Sequence, residues 1–347
     1  MYSIDVLKEN SNIWDLFTRK EEYNPVIVDK YKRFPYYASI DRDIFEPRVS
    51  QFLTERGLDI EYPNKAKFAV CLSHDVDTIY QEGWRKGVET FKSIKSLDLS
   101  QSLQHLLQFR ARKMPFCNFR EIVELEERFG ASSTFYFLAL NTQDADFNYD
   151  VADLTHEFEF LLENGAEIGL HGGHNAYNRV DVLINEKERL ERTLGEKVRG
   201  YRNHFLRFIV PDTWEILQDA GFQHDSTFGY ADCVGFRNGM CHPFRPYNLT
   251  TDRVIDIIEL PLVIMDDTLF NSYMHLDADS AWNLTRDLIN KTEKNHGVIT
   301  ILWHNYAFIS KFYAKFYEKI LDFCRIKNAW MTNAGEIASF WREHAQI

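Results

Sequence analysis

From residue 65 onward one unit recurs: a short apolar run, then an amphipathic stretch that stops at glycine. The apolar runs fall at 68–72, 133–138, 167–170, 199–203, 254–260 and 298–303, and their length and bulk suit buried strands. Helix-period stretches at 118–130, 151–164, 180–194, 211–220 and 280–294 separate or follow them, and Gly130, Gly165, Gly195 and Gly221 mark four of the stops. Two more helices are expected at 311–327 and 334–342. A strand followed by a helix cannot turn back beside its predecessor, so the strands run parallel with helices outside. Seven or eight such units predict an α/β barrel, closed or nearly so, with its chemistry at the C-terminal strand ends. Residue Asn118 with Glu121 three positions on predicts a capping box at one helix start.

Two segments stand outside the repeat. Residues 1–64 are rich in aromatics and broken by Pro25, Pro35, Pro47 and Pro63, with one helical stretch at 47–56. They are expected to form an N-terminal extension packed on a 65–347 domain. Residues 80–114 fit no unit and read as an insertion beside the site. The formal net charge of −12 disfavours nucleic acid as a partner. No window approaches the roughly 18 apolar residues of a membrane span. The first twenty residues lack the basic-then-apolar pattern of a signal peptide, and the five cysteines form no CxxC pair. Both features point to the reducing cytoplasm.

The informative residues follow the strands. After 68–72 comes Ser73-His74-Asp75-Val76-Asp77. Side chains two apart in extended chain share a face, so Asp75 and Asp77 project together and His74 points the other way. Two adjacent carboxylates repel unless a cation or a shared proton compensates. After 167–170 comes His171-Gly172-Gly173-His174-Asn175, after 199–201 comes Arg202-Asn203-His204, and after 298–302 come Trp303 and His304. Any one of these alone has an ordinary structural explanation. Together they bring carboxylates and imidazoles to one end of a sheet, a ligand set for Zn²⁺ or a similar divalent ion.

In that order, the acidic pair, histidine cluster, arginine motif and late Leu302-Trp303-His304 resemble the polysaccharide deacetylases of the NodB-homology, carbohydrate esterase 4 type. The resemblance covers roughly residues 67–342, including the closing 329–341 segment, AWMTNAGEIASFW. It is nearest to a branch with His-Asp-Val-Asp in the first motif. It implies a distorted (β/α)7 barrel and hydrolytic removal of an acetyl group, N-linked more than O-linked, from a sugar or polysaccharide precursor. It also implies a divalent metal, with Zn²⁺ the first candidate. Asp75 takes the place of the general base and Asp77 that of the metal ligand. Arg202 corresponds to the residue that steadies the base, and His304 to the general acid.

The second motif departs from the family spacing. His171 matches its first histidine, but the fourth residue on is Asn175 and His174 comes one earlier. Either an altered turn makes His174 a ligand, or Asn175 or water completes the site. His204 stands where the family has proline. The stretch 225–243, with Tyr230, Phe236, Arg237 and His242, is expected to form a substrate wall, to which Asn175, His204 and Trp303 add contacts. Two other functions share this pattern: an amidohydrolase acting on a small non-sugar amide, and a non-catalytic sugar-binding protein on a decayed deacetylase.

Overall fold

The computed structural model describes residues 4–80 and 116–344. The expected insertion therefore lies almost wholly outside the described residues. Strand β1 (Phe68–Val76) is buried over all nine residues, as a parallel strand covered on both faces must be. β2 (Thr134–Leu138), β3 (Glu167–Gly172), β4 (Gly200–Asn203) and β5 (His224–Asp225) follow in parallel on one side. β6 (Tyr247–Asn248) and β7 (Arg253–Val254) form a separate antiparallel ribbon. β8 (Ile258–Glu259) then pairs with β5. β9 (Leu262–Met265) pairs with β10 (Val298–Leu302), which lies against β1.

Only Leu260 and Pro261 separate β8 from β9, yet these strands sit at opposite ends of the sheet path. One short run of chain thus bridges the two ends, and with β8 and β9 counted as one interrupted stave the sheet curls into a barrel of seven. β11 (Ala329–Thr332) adds a further strand beside the start of β1.

The strand expected at 254–260 is corrected. Its first residue belongs to the ribbon, Ile258 and Glu259 near its end form β8, and β9 lies beyond Pro261, where no strand is expected. The helix at Val180–Leu194 turns Leu183, Glu186 and Leu190 inward and ends at Gly195, whose φ of 80° is the left-handed conformation that closes a helix. The helix at Ala278–Lys294 is capped by Asp277, whose side chain accepts from the Ser280 N–H at 2.8 Å. The capping box expected at Asn118 does not form: its Nδ2 donates to the carbonyl of Asn305 at 3.0 Å, and its Oδ1 accepts from no N–H of the helix start.

The N-terminal segment lies on the barrel. Leu7, Leu16, Phe17, Val49 and Leu53 share one apolar core with Phe135, Leu170 and Trp214. Arg19, Glu22 and Arg237 form a buried ion triad across the contact.

Candidate functional site

β1 delivers Asp75 and, one residue past its end, Asp77. β3 delivers His171, β4 delivers Arg202 and then His204, and the segment after β10 delivers His304. Parallel register puts His171 beside Arg202, so neighbouring strand ends bring residues about 30 positions apart into contact. Asp75, Asp77, His171, His204 and His304 line a cleft of about 130 Å³ together with Arg33, Phe205, Tyr273 and Tyr306, and Arg202 is buried behind Asp75. A larger groove of about 910 Å³ lies near the first residues of β3 and β5, and there Glu167 and His224 already pair with each other at 2.8 Å. The carboxylates and imidazoles of the strand ends gather at the smaller cleft.

Asp77, His171 and His204 each offer a ligand atom within 4.8 Å of the others. His171 Nε2 lies 3.2 Å from Asp77 Oδ1, and His204 Nε2 lies 3.6 Å from the same oxygen. The far nitrogens fix the rings. His171 Nδ1 donates to the carbonyl of Arg202 at 3.0 Å, which leaves the Nε2 lone pair facing inward. His204 Nδ1 faces the Asp146 carboxylate at 3.3 Å, which gives the same orientation. Buried Asp77 Oδ1 and His171 Nε2 have no hydrogen-bond partner among the described residues. Orphaned atoms converging in this way fit a divalent cation. Burial works against charge on Asp77, but the His204, His171 and His304 rings overcome it and hold the carboxyl well below the usual range. His204 responds in kind: burial lowers it, while Asp77 and Asp146 raise it further.

Asp75 lies behind this cluster. Its Oδ2 is 3.7 Å from His171 Nε2, and its Oδ1 is 3.6 Å from Arg202 Nη1. Arg202 is fully buried and held by Ser226 and Ser73 at 3.1 and 2.9 Å. On the other side of Asp77, His304 Nε2 stands 3.8 Å from Asp77 Oδ2. Its Nδ1 donates to Asp266 Oδ1 at 2.6 Å, and its backbone N–H donates to Asp266 Oδ2 at 3.1 Å. Burial opposes the imidazolium, but Asp266, with Asp77 and Asp75, raises its pKa to about 10. His74 points away from the cleft, as its alternation requires. It donates to the carbonyl of Trp303 and contacts Glu126 at 2.9 Å.

Several expected site residues lie elsewhere. His174 is half-exposed, 3.8 Å from Asp146, and Asn175 faces solvent. The two glycines serve close packing. A Cβ on Gly172 would meet Tyr201 at 2.1 Å, and one on Gly173 would meet Leu140 at 2.5 Å. The chain therefore runs past the cleft before it reaches His174. His204 stands where that second imidazole was sought. Tyr230 accepts from Arg19 at 2.7 Å, and Arg237 binds Glu22 and the carbonyl of Gly229. Both face the N-terminal segment, and His242 bonds Ser50, so of the stretch 225–243 Ala231 lines the cleft while Tyr230, Arg237 and His242 turn elsewhere. Trp303 stacks on Phe316 inside the core.

Asp266 and Asp146 were not anticipated. Asp266 follows β9, the strand hidden behind Pro261, and nothing near Asp146 marks it. Tyr306, stacked on His304 with ring centroids 4.9 Å apart, also went unforeseen.

The turn that carries His204 is strained. Phe205 and Leu206 have φ of 60° and 52°, a region that costs a side-chain-bearing residue about 1–2 kcal/mol. Arg33 donates to the Phe205 carbonyl, and Tyr31 stacks on the Phe205 ring.

No family model matches the sequence, and no curated protein matches it. Solved structures do. A Mycobacterium smegmatis protein assigned as a polysaccharide deacetylase superposes with a TM-score of 0.57 at 17% identity, over 83% of this chain and 94% of its own. The PuuE allantoinase gives 0.56 at 14%, over 92% and 100%. A Pseudomonas aeruginosa PAO1 protein, also assigned as a polysaccharide deacetylase, gives 0.56 at 13%, over 93% and 100%. At such identities the likeness is one of backbone, and the chain has the curled parallel barrel fold of the NodB-type polysaccharide deacetylases.

Proposed function

We propose that this protein is a metal-dependent hydrolase that removes an acetyl group from a carbohydrate, N-linked in preference to O-linked. The observation that carries the proposal is the order of groups across the cleft: Asp75 with Arg202, then Asp77–His171–His204, then His304 with Asp266. Asp77, His171 and His204 would hold the divalent cation, for which Zn²⁺ suits two imidazoles and a carboxylate. Such an ion supplies a Lewis acid for the acyl oxygen and makes water acidic enough to react near neutral pH. Asp75 accepts the proton of the attacking water, and Arg202, 3.6 Å from its Oδ1, fixes its orientation. His304 donates from Nε2 to the departing nitrogen while Asp266 holds Nδ1. An amine leaves poorly without that proton, so the buried acid supports an N-acyl substrate.

The five free cysteines, four of them buried, support a reducing compartment such as the cytoplasm. Among the described residues no helix is long and apolar enough to cross a membrane.

Acetate release should be measured across acetylated sugars and nucleotide sugars, with and without chelator, and with allantoin as a non-sugar amide control. The proposal expects chelator-sensitive acetate release from at least one sugar. It also expects Asp75→Asn to abolish turnover while leaving metal bound, since an amide cannot take the proton. Turnover that survives both chelator and Asp75→Asn would overturn it. Turnover of the non-sugar amide alone would keep the chemistry and replace the substrate.

A further inference from the structure

We infer that Asp29, Tyr31 and Arg33 of the N-terminal extension are positioning residues for the metal centre, clamping the turn that presents His204. This rests on the assignment of Asp77, His171 and His204 as a cation site. The three candidate ligands are held differently. His171 lies within β3 and Asp77 one residue past β1, so the sheet fixes both. His204 lies beyond the end of β4, at the start of a turn whose next two residues are left-handed without being glycine. That conformation persists only where the surroundings impose it.

The surroundings here come from far away in sequence. Arg33 Nη1 donates to the Phe205 carbonyl, at the strained residue itself. The Tyr31 and Phe205 rings stack with centroids 4.7 Å apart and planes 15° apart. On its other face Phe205 stacks on His204 at 3.8 Å and 21°. Tyr31, Phe205 and the ligand imidazole thus form one pile, closed from outside by the extension. The clamp is itself braced. Asp29 pairs with Arg33 at 2.6 Å and accepts from the Tyr31 and Arg33 backbone N–H groups at 2.8 and 3.0 Å. Arg33 Nη2 also donates to the Tyr273 hydroxyl at 2.8 Å, and Arg207 Nε donates to the Tyr31 carbonyl at 2.8 Å. These bonds occupy the Arg33 guanidinium at the cleft rim, so it serves as a brace for the turn and not as an open anion receptor. Without the clamp the turn can relax, and the His204 ring moves while Asp77 and His171 stay in place.

The test is metal binding to the full chain. Wild type, Asp77→Ala, His204→Ala, Arg33→Met and Tyr31→Leu are each titrated with Co²⁺, followed by its visible absorption, and with Zn²⁺ against a competing chelator. Thermal unfolding of each metal-free protein is recorded alongside. Arg33→Met keeps the side chain's length without its donors, and Tyr31→Leu removes the stack while keeping apolar bulk. Both should bind about 10–100-fold more weakly, the usual loss when a residue supporting a ligand is removed. Their Co²⁺ spectra should shift toward that of His204→Ala. If the two variants are folded with wild-type affinity and spectrum, the clamp has no such role and the inference is overturned, although the cation site would stand. If Arg33→Met does not fold, Tyr31→Leu decides on the same terms. If wild type and Asp77→Ala take up Co²⁺ alike, the cation site and the clamp both fail.

Discussion

Replacing Asp266 with Asn should uncouple His304 from its charge while barely changing shape. The carboxylate accepts from the ring Nδ1 at 2.6 Å and from the backbone N–H of the same residue at 3.1 Å, and it is 1% exposed. An opposite charge in contact is worth about 4 kcal/mol at an effective dielectric of about 20, or about a thousandfold in the protonation equilibrium. In metal-free wild type the imidazolium should persist to a pKa of about 10. In Asp266→Asn it should fall back toward the ordinary histidine value near 6.5. The sign for stability follows. A histidine raised in the folded state stabilises fully below about 6.5, and that contribution is lost as pH rises through about 10. Wild type should therefore lose stability between those limits, and the variant should not.

The direct assay is an NMR titration of the His304 ring, paired with urea unfolding at pH 6 and pH 9. In turnover the variant should slow release from an acetamido sugar by about 10²-fold, within the usual worth of a general acid. An aryl acetate, which departs unprotonated, should suffer far less. An unchanged His304 pKa, or equal slowing of both substrates, would refute the role given to this pair.

Glu22 carries two buried arginines at once, and burial is overcome there by Arg237 and Arg19. Glu22→Ala should cost about 3–5 kcal/mol in urea unfolding, as removing one partner of a buried ion pair does; a loss under 1 kcal/mol would mean the triad contributes little. Glu186, behind the Gly172–Gly173 turn, has its carboxyl pushed up to about 8 by burial, against the opposing Gly173 N–H. The folded state then binds this proton more tightly than the unfolded chain, so stability falls as pH rises from about 4.5 to about 8. Glu186→Gln should flatten that slope, matching wild type at pH 4 and exceeding it at pH 9. Parallel curves would show that Glu186 is not held neutral.

The barrel was legible because its cause is local. Buried parallel strands such as 68–72 and 298–302 are apolar runs, and the glycine stops are single residues with a single job. Period-two alternation likewise separates Asp75 and Asp77 from His74, and the structure places the pair in the cleft and His74 in the core. What escaped depends on distance through space. The HGGHN spacing draws attention to His174, whereas the imidazole beside His171 comes from the end of the next strand, 33 residues on. Tyr230 and Arg237 have the polar and aromatic character of a substrate wall. Their partners are Arg19 and Glu22, more than 200 residues earlier, and no pattern in 225–243 reveals that. β9 went unseen because Pro261 seemed to end the apolar run, and Asp266 was hidden with it.

The proposed metal centre turns on which histidine completes it. Metal content and Zn²⁺ affinity should be measured side by side for wild type, His204→Ala and His174→Ala, each purified identically. The structure places His204 Nε2 at 3.6 Å from Asp77 and leaves His174 outside the cluster. His204→Ala should therefore lose most of the bound metal, while His174→Ala should keep one ion per chain at close to wild-type affinity. Metal lost from His174→Ala and retained by His204→Ala would contradict it.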